Sequence, residues 1–304
     1  MSRAAALILG LLVWPAVPAR AQLRVVTSTT DLWDFARAVG GGRTSVKHIS
    51  SGYQDPHFVE AKPSFILDLQ RADVWAYVGL DLEIGWASLL LNGARNPKIA
   101  RGAPGHVDVS TVIPVLDVPA GNVDRSQGDV HPLGNPHYWL DPGNARRIVT
   151  LFREVFTRLD PEGAAQYEAN TSRYLARLDS AQAAWRPQLA RLEGMPVVAW
   201  HTSWRYFSQY TGLRIVGFME PKPGVPPSPS HLAGLIRTMK QTGARAIIME
   251  PFYDRKTADF VARETGARVL LLPPSVGGSP QVPDYLALMA HDLAQVAALA
   301  GAGP

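Results

Sequence analysis

The chain has 304 residues, 46% of them hydrophobic and 18% charged, which is enough for two domains that each bury a core. The net charge of +4 comes partly from Arg3 and Arg20 at the very start, and no basic stripe with interleaved aromatics follows, so a nucleic-acid partner is not expected. There is no cysteine, so disulfides are excluded and no thiol can carry a lipid.

The first element is a leader. Arg3 is followed by an apolar stretch from Ala4 to Val17 and then by Ala19-Arg20-Ala21, an A-x-A cleavage pattern. Residues 1–21 are therefore expected to be a signal peptide, with Gln22 as the mature start. The apolar stretch is short for a membrane span, although a retained N-terminal anchor is the competing reading. A cleaved chain without a lipid-bearing cysteine is expected to diffuse freely in a periplasm.

Residues 23–28 predict a strand. Ser28-Thr29-Thr30-Asp31 then offers capping groups for a helix to about Val39. Residues 72–78 predict a second strand. From about 160 to 192 the pattern changes. Tyr167, Tyr174, Leu178, Ala181, Trp185 and Leu189 recur at the spacing of one helical face. Pro187 lies inside that pattern and predicts a kink or an end near Arg186. Beyond it, residues 196–200, 246–249 and 268–272 are short apolar runs. Each precedes polar, Pro or Gly residues and a helical pattern such as 255–265. Strands that alternate with helices predict parallel sheets covered on both faces. The expected fold class is α/β: two doubly wound domains, 22–160 and 193–304, joined by one long rigid helix, 161–192. Such a helix should restrict movement between the lobes.

Three of the eight histidines have unusual surroundings. His57 and His137 each follow a proline directly, in Asp55-Pro56-His57 and Asn135-Pro136-His137. His201 ends the predicted strand that contains Val197-Val198-Ala199-Trp200. In open parallel sheets, ligands bind at the C-terminal ends of strands. Neutral imidazole is the commonest side-chain ligand for transition metals. Histidines from far-apart loops suit a metal site in the cleft between two lobes. Taken singly, each could equally be a surface or capping histidine, because no compact spacing such as His-Glu-x-x-His is present.

The chain resembles the zinc and manganese solute-binding proteins of ABC importers over nearly all of its mature length. The resemblance rests on Asp55-Pro56-His57, Ala72-Asp73, Gly79-Leu80-Asp81-Leu82-Glu83 and Asn135-Pro136-His137-Tyr138-Trp139-Leu140-Asp141-Pro142. It rests also on Tyr167, Asn170, Tyr174 and Leu178 of the long helix, on His201-Thr202-Ser203-Trp204-Arg205-Tyr206-Phe207 and on Met249-Glu250-Pro251. It implies a rigid-helix, two-lobe fold that carries a divalent metal to a membrane permease. Three imidazoles suit Zn2+, and Mn2+ less readily, and a monomer is the default expectation. The resemblance also implies metal ligation by His57, His137 and His201.

The resemblance breaks at the fourth ligand. Many members place an aspartate after the last strand, where this chain reads Leu271-Leu272-Pro273-Pro274-Ser275. Glu250, at the end of its strand, is one candidate for that place. It is also a candidate for orienting a ligand histidine, and a water could take the fourth position instead. Glu60 and Glu220 are weaker candidates, and Asp141 is a further candidate partner for a ligand histidine. The loop from Asp117 to Gly134 holds only Asp117, Asp124, Asp129 and His131, so the His- and acid-rich loop of many zinc-specific members is mostly missing. His131 is of interest because it lies close to His137 in sequence. His48, His106, His231 and His291 lack any such context. The rival readings are a zinc-dependent hydrolase with Glu250 as general base, and an adhesin or metal-delivery chaperone on the same scaffold.

Overall fold

Each half of the molecule is built on a four-stranded parallel sheet of the same order. The computed structural model describes residues 22–121, 128 and 130–300. The predicted leader, 1–21, and the acids Asp124 and Asp129 lie outside the described residues.

The first sheet contains β1 (Leu23–Thr27), β2 (Thr44–His48), β3 (Val74–Tyr77) and β4 (His106–Asp108), in the order β2-β1-β3-β4. The second contains β5 (Pro196–Ala199), β6 (Arg214–Phe218), β7 (Ala246–Met249) and β8 (Arg268–Leu271), in the order β6-β5-β7-β8. The central strands β3, β5 and β7 are the buried, apolar ones and match the runs seen in the sequence. Two strands leave no such run, β2 and β4, and β6 has one that is interrupted by Gly217. All three lie at sheet edges, where solvated side chains such as Lys47, His106 and Arg214 dilute the apolar signal.

The helices are α1 (Thr30–Gly40), α2 (Pro63–Arg71), α3 (Ala87–Ala94), α4 (Pro142–Leu159), α5 (Ala164–Leu192), α6 (Arg205–Thr211), α7 (Pro229–Thr242), α8 (Arg255–Thr265) and α9 (Tyr285–Ala300). Thr29 caps α1 by accepting the Leu32 N–H, and Leu32, Phe35, Ala36 and Val39 form its buried stripe. None of the described helices is long and apolar enough to cross a membrane.

The helix α5 joins the two halves. Its 29 residues span roughly 44 Å. It runs through Pro187, so of the expected kink or end near Arg186 the end does not occur. The missing proline N–H removes one bond to the Ala183 carbonyl. Trp185 and Leu192, buried on either side, hold the last turns against the core.

One apolar core runs through both halves, from Val25 and Phe35 through Trp139, Phe152, Tyr167 and Tyr174 to Val197, Phe207, Leu272 and Tyr285. Polar contacts stitch the same boundary. Asp31 Oδ1 accepts the Val276 N–H at 2.9 Å and Asp34 Oδ2 accepts the Tyr285 N–H at 3.0 Å. Trp139 Nε1 donates to the Pro274 carbonyl at 2.7 Å, and the Tyr285 hydroxyl donates to the Trp139 carbonyl at 2.8 Å. The proline pair after β8 thus docks the second half onto the first.

The loop after β3 is held from below. Gly79, Leu80 and Asp81 have φ of +82°, +53° and +66°. Glu83 accepts the N–H groups of Val78 at 2.7 Å and Gly79 at 3.1 Å. A Cβ on Gly79 would meet Asp108 Oδ1 at 2.3 Å, so the residue must be glycine. Burial pushes the Glu83 carboxyl up to about 7.

Candidate metal centre

The two Asx-Pro-His segments fold into the same device. In the loop after β2, Asp55 Oδ1 accepts the His57 N–H at 3.0 Å and lies 2.6 Å from His57 Nδ1. Ahead of α4, Asn135 Oδ1 accepts the His137 N–H at 3.0 Å and lies 3.0 Å from His137 Nδ1. In each, one short side chain closes a turn around the proline and grips the ring that follows. The Asn135 amide nitrogen donates to the Thr202 carbonyl at 2.9 Å, which orients its oxygen toward His137.

His201 follows β5 and is held from a distance. Its Nδ1 lies 2.8 Å from Glu220 Oε2, at the end of β6. Glu220 also accepts the Gly224 N–H at 3.1 Å, so the Pro-rich turn steadies the carboxylate. With Nδ1 of all three rings donating to an oxygen, the Nε2 lone pairs are free to point elsewhere.

They point at one another. The ring centroids of His57, His137 and His201 form a near-equilateral triangle, with sides of 5.2, 5.5 and 5.3 Å. Among the described residues, these three are the set whose donor atoms all lie within 4.8 Å of one another. His137 and His201 are 2% and 3% exposed, and His57 is half-buried. Burial, then the neighbouring His57, His201 and His131, hold His137 well below the usual histidine range, so its ring stays neutral. Burial works to raise Asp55, but the hydrogen bond and charge of His57 hold it below the ordinary carboxylate value. The carboxylates of Asp55 and Glu220 thus stand behind two of the three rings, a charge pattern that matches a divalent cation.

The other candidates fall elsewhere. Glu250 ends β7 and is 0% exposed, but it lies outside the three-histidine set. Neither of its oxygens makes a hydrogen bond of ordinary geometry, although Ser203 is close enough to lower its pKa. Burial first, then the charges of Asp55 and Glu220, push it up to about 8. Asp141 caps α4 by accepting the Gly143 N–H and is not spent on a histidine ring. Glu60 is exposed and lines a cavity of about 490 Å³ beside His57. His48, His106 and His231 bond backbone carbonyls of Ser50, Ile99 and Phe218. His131 is different, with its Nε2 at 3.1 Å from His57 Nε2.

Known proteins resemble this chain in sequence and in fold. The family described as ZnuA, zinc-uptake complex component A periplasmic, matches residues 25–299. The manganese-binding lipoprotein MntA of Halalkalibacterium halodurans is 27% identical over 249 residues, covering 81% of this chain and 77% of its own. The zinc-binding lipoprotein AdcA of Streptococcus pneumoniae is 24% identical over 254 residues, covering 83% of this chain, and the match spans only 50% of AdcA. A crystal structure of a zinc-bound ZnuA deletion mutant superposes with a TM-score of 0.76 at 25% identity, covering 93% of this chain and all of the other. The chain belongs to the family of periplasmic component A proteins of zinc-uptake complexes.

Proposed function

We propose that the protein captures one divalent transition-metal ion, zinc, between Nε2 of His57, His137 and His201 and passes it to the membrane permease of an ABC importer. The observation that carries this reading is the anchoring of all three rings by Asp55, Asn135 and Glu220, which leaves three converging nitrogens. Three neutral nitrogens suit zinc, whereas manganese prefers more oxygen donors. In this reading residues 22–160 and 193–304 are the lobes, 161–192 is the strut, and the protein works as a periplasmic monomer without a lipid anchor. The core shared by both lobes favours a site that closes by local ordering rather than by a swing of the domains. A hydrolytic role gains no support, because Glu250 is fully buried and lies outside the three-histidine set.

The test is titration of the purified, chelator-stripped protein with zinc and manganese in parallel. A single tight zinc site with much weaker manganese binding is expected. Tighter manganese binding, or no stoichiometric site, would overturn the assignment.

A further inference from the structure

The segment that precedes His137 brings a fourth imidazole to the centre. His131 is only 9% exposed, and its ring stacks on His57 with centroids 5.2 Å apart. The two Nε2 atoms are separated by 3.1 Å. Two imidazole nitrogens bound to one tetrahedral zinc are about 3.3 Å apart, from Zn–N bonds of about 2.0–2.1 Å. The pair already has the spacing of two ligands on one ion.

The local backbone is built for this placement. His131-Pro132-Leu133-Gly134 is a turn closed by the Gly134 N–H onto the His131 carbonyl at 3.1 Å. Gly134 has φ of +107°, and a Cβ there would meet Val115 Cγ1 at 2.2 Å. The next residue, Asn135, is tied by its N–H to the Leu116 carbonyl at 2.8 Å. The turn therefore folds His131 back over the cleft into which His137 projects. The backbone carbonyl of Leu80 lies near the His131 ring.

Competing donors for the fourth place are weak in this chain. Pro273 has no donor side chain, and the Pro274 carbonyl is spent on Trp139. Glu250, like His131, lies outside the set of three within 4.8 Å of one another, but no contact between Glu250 and a histidine ring parallels the 3.1 Å approach of His131 to His57. His131 also lines, with His57, Glu60 and Asp81, a solvent-facing cavity of about 490 Å³. Its ring centroid is 6.1 Å from that of His137, farther than from that of His57, so a small inward shift of the turn completes the set.

We propose that His131 is the fourth metal donor, closing on the ion from the solvent side once His57, His137 and His201 hold it. This rests on those three being the primary ligands.

The test is zinc K-edge X-ray absorption on the zinc-loaded protein, counting imidazoles, together with zinc competition titrations of His131→Ala and Glu250→Gln. Four imidazoles are expected in the wild type and three in His131→Ala. That variant should still bind one zinc, at least about tenfold more weakly. Glu250→Gln should keep the wild-type count. Three imidazoles in the wild type with unchanged affinity in His131→Ala would overturn the proposal and leave the three-histidine site standing. An oxygen donor lost in Glu250→Gln would give the fourth place to Glu250. A wild type with no zinc site would overturn both readings.

Discussion

Glu220 Oε2 lies 2.8 Å from His201 Nδ1, with both side chains buried. It does for His201 what Asp55 and Asn135 do for their own neighbours, but it reaches across from a different strand. Removing the anchor frees the ring to rotate and to change tautomer. Glu220→Ala should therefore weaken zinc binding about 10–100-fold with one site retained. Glu220→Gln should lose less, because an amide oxygen can still accept from Nδ1. Competition against a chromophoric chelator measures both, and an unchanged affinity in Glu220→Ala would remove the anchoring role.

Asn135 joins the lobes as well as gripping His137. Its amide donates to the Thr202 carbonyl at 2.9 Å. Asn135→Asp keeps an acceptor for His137 but turns a second oxygen toward that carbonyl, with Asp117 nearby. The metal-free variant should be destabilised by about 1–3 kcal/mol, the cost of leaving buried polar groups unpaired. Urea denaturation is the measurement. Wild-type stability in Asn135→Asp would show that this bridge contributes little.

Asp31 predicts a pH dependence. It is fully buried, and burial pushes it up to about 7 even though its Oδ1 accepts the Val276 N–H. A raised carboxyl pKa means that the fold favours the protonated form. Its contribution to stability is full below the unfolded value of about 4 and is lost as pH rises through about 7. Asp31→Asn keeps the acceptor and cannot ionise. The variant should match the wild type near pH 4 and exceed it near pH 8 by on the order of a few kcal/mol. Urea midpoints of the metal-free proteins at several pH values test this, and parallel profiles would contradict it.

Much of the fold and half of the site are legible in the amino-acid sequence, for identifiable reasons. The central strands announce themselves because both faces are buried, and the stripe from Tyr167 to Leu189 traces α5. The edge strands β2 and β4 are short or solvated and leave no such trace. At the site, His57 and His137 stand out through the proline before each, and the repeated Asx-Pro-His spelling already carries their anchors. Glu220 as a partner for His201 is not legible, since it depends on β6 lying beside β5. His131 is flagged only by nearness to His137, because its approach to His57 is set by the turn at Gly134. Of the kink or end expected near Pro187, the end does not occur, because packing on both sides outweighs one lost hydrogen bond.

The most direct measurement is zinc titration of the chelator-stripped wild type beside His137→Ala, the most buried ring of the triangle. A single tight site in the wild type that is lost in the variant is the predicted result. Equal stoichiometric binding by both proteins would contradict the three-histidine centre.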